Sequence, residues 1–337
     1  MRSWNHRGPL SLLLWPVSVL YRLLAAANQQ LYRRGLRTIE SVATPVIVVG
    51  NVVAGGAGKT PVVMALVRHL QERGHRPGVV SRGYGRHSSD CRAVLDKSTA
   101  REVGDEPLLI RQSTGAPVFV AARRAQAAQA LAKRFPEVDI VVCDDGLQHH
   151  SLRRDIEICV FDERGIGNGF LLPAGPLREA WPRPIDLVLT AAGSRGVDGF
   201  GMQRELASQV RRADGTQCAL LQLQLQHEQS GVPLWAVAGV ARPESFFAML
   251  RAVGLRLART VALSDHADFT AAEWSGTQGQ TLLCTEKDAT KLWQHRPDAW
   301  AVPLKLEIDA EFWPRFDALV DTALRSKLSS AYGDATS

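Results

Sequence analysis

Short runs of consecutive apolar residues recur along the chain, near 46–49, 78–80, 118–121, 138–143, 156–161 and 186–190. Runs of this length, rich in Val and Ile and without polar alternation, suit strands buried on both faces. Helical or loop-like segments separate them, so the pattern predicts an α/β fold, a parallel sheet with helices on both faces. After a Gln-rich stretch at 221–229 the pattern restarts with Leu234-Trp235-Ala236-Val237-Ala238-Gly239. Further apolar runs at 256–263, 281–284 and 300–306 predict a second, smaller α/β unit. No internal repeat is visible.

The first 38 residues follow another rule. Leu10, Leu13, Leu14, Val17, Leu20, Leu24 and Leu31 keep helical spacing, while Ser11, Ser18, Arg22, Gln29 and Arg33 fall near the opposite face. The apolar run is short for a spanning helix, which needs about 20 apolar residues, and it carries an arginine. An amphipathic helix lying in a membrane interface is therefore expected, its arginines reaching for lipid phosphates. A secretory signal with Ala25-Ala26-Ala27 as cleavage site, or a helix folded onto the protein's own core, are the alternatives.

Charge sharpens this picture. Six arginines and no acidic residue precede Glu40; the 40 basic residues less those six leave 34, against 34 acidic residues. The excess of +6 thus sits in the arm, as an anionic membrane surface would require, and not on a folded face as in a nucleic-acid binder. Five cysteines without a Cys-x-x-Cys pair read as free thiols in a reducing compartment, against a disulfide framework or a zinc site. The Ser- and Ala-rich stretch 329–337 reads as a flexible tail.

The first apolar run leads into Gly50-Asn51-Val52-Val53-Ala54-Gly55-Gly56-Ala57-Gly58-Lys59-Thr60, followed by a helical pattern from 61 to about 73. Strand, glycine-rich loop and helix in that order form the context of a phosphate-binding loop. Backbone N–H groups of Gly55, Gly56, Ala57 and Gly58 would close around phosphate oxygens, with the positive end of the helix dipole behind them. Lys59 would reach the β- and γ-phosphates, and the Thr60 hydroxyl would ligate Mg²⁺. In the usual spacing the first glycine falls at Val53, so Gly55 and Gly56 supply the flexibility from inside the loop.

A second buried run, 138–143, ends in Asp144-Asp145-Gly146-Leu147-Gln148-His149. A carboxylate at the carboxyl edge of a strand beside such a loop is the expected Mg²⁺ holder, a role that falls to Asp144, with Asp145 turned elsewhere. Gly104-Asp105-Glu106-Pro107 reads either as an acidic helix start or as the source of a proton acceptor, Asp105. His266, between Asp265 and Asp268, is either a loop residue or a partner for such a carboxylate.

Taken in order, these blocks resemble the tetraacyldisaccharide 4′-kinase family of the lipid A pathway. Ser81-Arg82-Gly83-Tyr84-Gly85-Arg86, Leu172-Pro173-Ala174-Gly175-Pro176-Leu177-Arg178-Glu179 and Thr285-Glu286-Lys287-Asp288-Ala289 extend the likeness to about residue 292. Leu147 departs from it, standing where an aromatic residue is expected. The resemblance implies ATP and Mg²⁺, and phosphorylation of the 4′-hydroxyl of a tetraacylated glucosamine disaccharide 1-phosphate. It also implies that Asp105 and His266 form a catalytic pair, and that Asp145, Gln148 and Arg178 lie near the active site. The Val53 position is shared by the family. The expected partners are the lipid-linked disaccharide and an anionic membrane surface, with no nucleic acid and no protein partner. The expected location is the cytoplasmic face of the inner membrane.

The expected division is an arm at 1–38, a P-loop kinase domain at 39–228, a smaller α/β domain at 229–328 closing the cleft, and a tail at 329–337. Asp105 and His266 would then meet between the two domains. The rival reading is a P-loop nucleotide switch or metallochaperone NTPase. Guanine readers carry Asn-Lys-x-Asp after a late strand; here Thr285-Glu286-Lys287-Asp288 puts glutamate where lysine is needed.

Overall fold

The structure is a computed structural model that describes residues 4, 6–56, 58–265, 267, 269–270, 274 and 276–333, with side chains to 329. Ala57, His266 and Asp268 lie outside the described residues.

The chain opens with helix α1 (Pro9–Arg33) and then enters a large sheet through β1 (Val46–Gly50). Helix α2 (Lys59–Glu72) follows, then β2 (Pro77–Ser81), β3 (Arg92–Val94), α3 (Ala100–Val103) and α4 (Asp105–Thr114). Next come β4 (Val118–Val120), α5 (Arg124–Arg134), β5 (Ile140–Asp144), β6 (Ile156–Phe161), β7 (Leu187–Ala191) and β8 (Phe200–Leu206). A second sheet is built from β9 (Gln209–Arg211), β10 (Gln217–Ala219), β11 (Leu234–Ala238), β12 (Arg259–Ala262), β13 (Thr281–Thr285) and β14 (Trp300–Val302). Helices α6 (Leu220–Ser230), α7 (Pro243–Ala252) and α8 (Glu286–Leu292) belong to it. The chain then returns to the first sheet with β15 (Leu304–Ile308) and ends in α9 (Phe312–Gly333).

Among the described residues the first sheet runs β15-β8-β7-β6-β1-β5-β2-β4-β3 and the second β10-β9-β14-β13-β11-β12. The apolar runs are its central strands. Val46 to Val49, Ile140 to Cys143 and Ile158 to Phe161 are all buried, because helices cover both faces of the sheet. β1 pairs in parallel with β5 on one side and β6 on the other. In that register Val49 lies opposite Asp144, which sets the glycine-rich loop beside the acidic end of β5. Ligand sites in open α/β sheets form at such carboxyl edges.

The division of the chain differs from the sequence expectation at both ends of the second unit. The hairpin β9–β10 and helix α6 join the second sheet, so the change of sheet comes near residue 207 and not after the Gln-rich stretch. These strands are three residues long and carry no apolar run, which hid them. The run at 300–306 is two strands, split at Pro303, which cannot donate to a ladder. β14 pairs with β13, while β15 crosses back and pairs antiparallel with β8, Leu306 opposite Arg204. The β8/β15 ribbon therefore carries the chain out of the first unit and back. α9 closes the first core with Phe312, Phe316 and Val320.

α1 is a continuous helix of 25 residues, long and apolar enough to cross a membrane by length and composition. The serines of its polar stripe face the protein, while Arg22 and Arg33 are exposed. Ser11 and Ser18 are buried, while Leu13, Leu20, Leu23 and Leu24 are more than half exposed. The Ser18 hydroxyl donates to the Leu171 carbonyl (2.9 Å) and accepts from the Ala174 N–H (3.0 Å). The Tyr21 hydroxyl donates to the Arg178 carbonyl (3.0 Å). The alternative in which the helix folds its leucines onto the protein's own core does not match this arrangement.

Candidate active site

The loop between β1 and α2 is held open from beneath. Asn51, fully buried, donates through Nδ2 to the Val53 carbonyl (2.7 Å) and the Gly55 carbonyl (3.4 Å). Its Oδ1 accepts from Lys59 Nζ at 3.4 Å. Gly58 caps α2 in the left-handed region (φ 73°), where a side chain would be strained and would collide with the Arg204 guanidinium. Val53 can replace the usual glycine because it is buried against the segment 176–178. It bridges to Leu177, while the Ala54 N–H donates to the Pro176 carbonyl and the Arg178 N–H to the Val52 carbonyl, both at 2.7 Å. Gly50 leaves room for the buried Leu147; a Cβ there would stand 2.6 Å from Leu147 Cγ.

Lys59 faces Asp145, Nζ to Oδ1 3.4 Å, and Arg178 Nη1 lies 3.6 Å from Asp145 Oδ2. Arg178 also reaches Gln148 Oε1 (3.5 Å), and Gln148 Nε2 donates to the Asn51 carbonyl (3.0 Å) and to Glu179 (2.5 Å). Lys59, Asp145, Gln148 and Arg178 thus form one network around the loop. Burial raises the Asp145 pKa, but Lys59, Arg178 and Arg124 outweigh it and hold the carboxyl below the usual range.

Asp144 lives under the opposite balance. It is buried; among the described residues its Oδ2 takes a long hydrogen bond from Ser81 (3.5 Å) and its Oδ1 has no partner. Burial pushes its pKa up to about 7, with the nearby Glu106 and Asp145 charges adding to the shift. A buried carboxylate oxygen without a partner is costly, and it is the donor a hard cation takes. No group of three His, Cys, Asp or Glu side chains suited to a metal occurs among the described residues. One carboxylate with the Thr60 hydroxyl and phosphate oxygens fits Mg²⁺, which prefers few protein ligands.

The second unit meets the first beside α4. Asp105 opens α4, is almost fully buried, and pairs with Lys291 of α8 at 2.9 Å. Lys287 pairs with Asp265 at 3.0 Å, and feels the charges of Glu106 and Asp105. The Glu106 charge also acts on Asp144, so both the loop carboxylates and α8 lie within its electrostatic reach. A cleft of about 590 Å³ runs between the units, lined by Gly58, Thr60, Glu106, Arg204, Phe246 and Lys287 among others. Arg242 spans its edge, bonding Asp162 and Glu163 at 2.5 Å each, and Arg164 reaches the Ala54 and Gly56 carbonyls at 3.1 and 3.4 Å.

Several of these residues escaped the sequence reading. Asn51 and Glu106 stood inside quoted motifs without a role, and a lone polar residue straight after a buried strand was the available signal for Asn51. Lys291, Arg204 and Arg242 had none, because their partners are far away in sequence. Asp288, which a guanine reader would leave open to the base, is buried and accepts from the Gly239 N–H (2.9 Å) and the Thr285 hydroxyl (2.7 Å).

Comparison with known proteins identifies the family. The sequence model of the LpxK family, tetraacyldisaccharide-1-P 4′-kinase, matches residues 10–324. The tetraacyldisaccharide 4′-kinase of Acidovorax sp. (strain JS42) is 56% identical over 318 residues, covering 94% of this chain and 92% of that protein. That of Polaromonas naphthalenivorans (strain CJ2) is 50% identical over 345 residues, 100% of this chain and 98% of the relative. The crystal structure of LpxK from Aquifex aeolicus in complex with ATP superposes with a TM-score of 0.78 at 26% identity, covering 94% of this chain and 99% of that one. Sequence and fold agree, and the chain belongs to the tetraacyldisaccharide 4′-kinase family.

Proposed function

We propose that this chain transfers the γ-phosphate of ATP to the 4′-hydroxyl of a tetraacylated glucosamine disaccharide 1-phosphate. The observation that carries the reading is the phosphate-binding loop beside an Asp144 oxygen that has no partner among the described residues, with Asp105 on the same unit held by Lys291 from across the cleft. Backbone N–H groups of Gly55, Gly56, Ala57 and Gly58 cradle the phosphates, and Lys59 neutralises their charge. Thr60 and Asp144 would hold Mg²⁺, which when bound would supply positive charge to offset that of the transferring phosphate. Asp145 holds Lys59 in place, while Arg178 and Gln148 brace Asp145 and the loop. Asp105 takes the proton of the attacking hydroxyl, and His266 orients it. Little covalent work falls to the protein in phosphoryl transfer, so alignment of donor and acceptor by the two walls of the cleft supplies most of the rate.

The leucine face of α1 lies in the cytoplasmic surface of the inner membrane, with Arg22, Arg33, Arg34 and Arg37 near anionic headgroups. Its serine stripe ties it to the segment that runs on to Arg178, so the acceptor lipid and the site share one surface.

Transfer of labelled γ-phosphate to the disaccharide lipid in detergent micelles tests the activity; no Mg²⁺- and lipid-dependent transfer would refute it. The pairing of Asp105 with His266 is tested by a double-mutant cycle on kcat at saturating ATP and lipid. Residues acting as one device are non-additive, so Asp105→Ala/His266→Ala should be little worse than the poorer single variant. Additive effects on log kcat would count against the pair.

A further inference from the structure

Lys291 of the second unit reaches into the chemistry assigned to the first. Its ammonium donates to Asp105 Oδ2 at 2.9 Å across 186 positions of sequence. The two side chains retain only 12% and 7% of their exposure, so the pair is shielded from solvent and salt. The same ammonium donates to the Ala267 carbonyl at 3.1 Å. Ala267 is the neighbour of His266 in the chain. One cation therefore holds both the carboxylate on α4 and the backbone of the loop that carries the histidine.

The surroundings explain why a cation is needed there. Glu106 adjoins Asp105 on α4, Asp288 approaches from α8, and Asp265, after β12, lies beside Lys287. Lys287 is already taken up by Asp265. Without Lys291, Asp105 would lose its 2.9 Å cation partner while Glu106 and Asp288 stayed close, and the ionised form that can accept a proton would be less favoured.

We propose that Lys291 is a positioning residue for phosphoryl transfer, which aligns Asp105 with the His266 loop and keeps Asp105 ionised when the two units close. The proposal rests on the reading of Asp105 as the base. The pairing makes the assembled base conditional on the cleft being closed, since its two halves sit on different sheets. A purely mechanical clamp would need only attraction between the units, which Arg242 with Asp162 and Glu163 already provides.

The test measures kcat against pH, and KM for ATP, on the full-length protein in lipid micelles, with melting curves alongside. In Lys291→Met, kcat should fall on the order of 10- to 100-fold with KM for ATP changed less than about threefold. The acid limb of the kcat profile should move up by about one pH unit, because loss of the cation favours the protonated carboxyl. Lys291→Arg should retain the wild-type acid limb. Lys291→Gln keeps hydrogen-bond donors without the charge and should show the shifted limb even if Lys291→Met folds poorly. An unmoved limb in both neutral variants, or a fall in kcat that only tracks melting, would overturn the role of Lys291. Asp105→Asn separates the two layers: near-normal turnover there would overturn the base itself, whereas lost turnover beside an unmoved Lys291 limb overturns only the positioning role.

Discussion

Helices α1 and α2 are both amphipathic, and both touch the segments that frame the phosphate-binding loop, yet they bury opposite faces. α2 turns Val62, Val63, Leu66, Val67 and Leu70 into the first core and leaves its polar residues outside. α1 turns Ser11 and Ser18 inward and leaves its leucines in the open. Periodicity announces a two-faced helix but does not say which face meets the protein. That depends on the partner: α2 lies against a sheet face of Val and Ile, whereas α1 lies against backbone carbonyls and N–H groups of residues 168–178, which want hydroxyl partners. A helix seated by its polar side has its apolar side free for lipid.

The contrast can be broken from either helix. The largest effect should come at the start of α2, where Lys59→Ala removes the cation nearest the phosphates. Turnover should fall about 100-fold or more in the micelle assay, with the melting temperature little changed. Near-normal turnover would show that α2 has only a packing role. Next, Leu66→Ala in the middle of α2 should destabilise by roughly 2–5 kcal/mol in denaturant unfolding, as a buried leucine leaves a cavity. Leu13→Ser/Leu20→Ser on α1 should cost less than about 0.5 kcal/mol per residue in detergent-free unfolding, since both side chains are exposed. That pair should instead weaken co-sedimentation with anionic vesicles about tenfold, and equal loss of stability in both helices would end the distinction. The smallest effect is expected from Tyr21→Phe, which removes one hydrogen bond to the segment of Arg178, worth about 1 kcal/mol. Its kcat should drop less than about threefold on micelles, and a larger drop would mean that α1 does more than attach.

The strand–loop–helix unit was legible for the same reason that the central strands were. A buried parallel strand must be an apolar run, and a phosphate-binding loop must place glycines and Lys59-Thr60 between that strand and a helix. Asp144 could be named as a metal holder because the end of a strand beside such a loop has one natural neighbour. Its lack of a partner for Oδ1, and its separation in character from Asp145, could not be read, because both follow from which charges burial brings near.

Local chemistry alone therefore determined the strand–loop–helix unit, the buried strands of the first sheet, the two-faced N-terminal helix and the set of acidic residues available for catalysis. Tertiary structure decided the rest. It sent 304–308 back to pair with β8, drew the β9–β10 hairpin into the second sheet, turned the serines of α1 inward and set Lys291 against Asp105. Those outcomes depend on pairings between segments tens to nearly two hundred residues apart. Nothing in a window of sequence carries the energy of such a pair, because it exists only once the two surfaces have met.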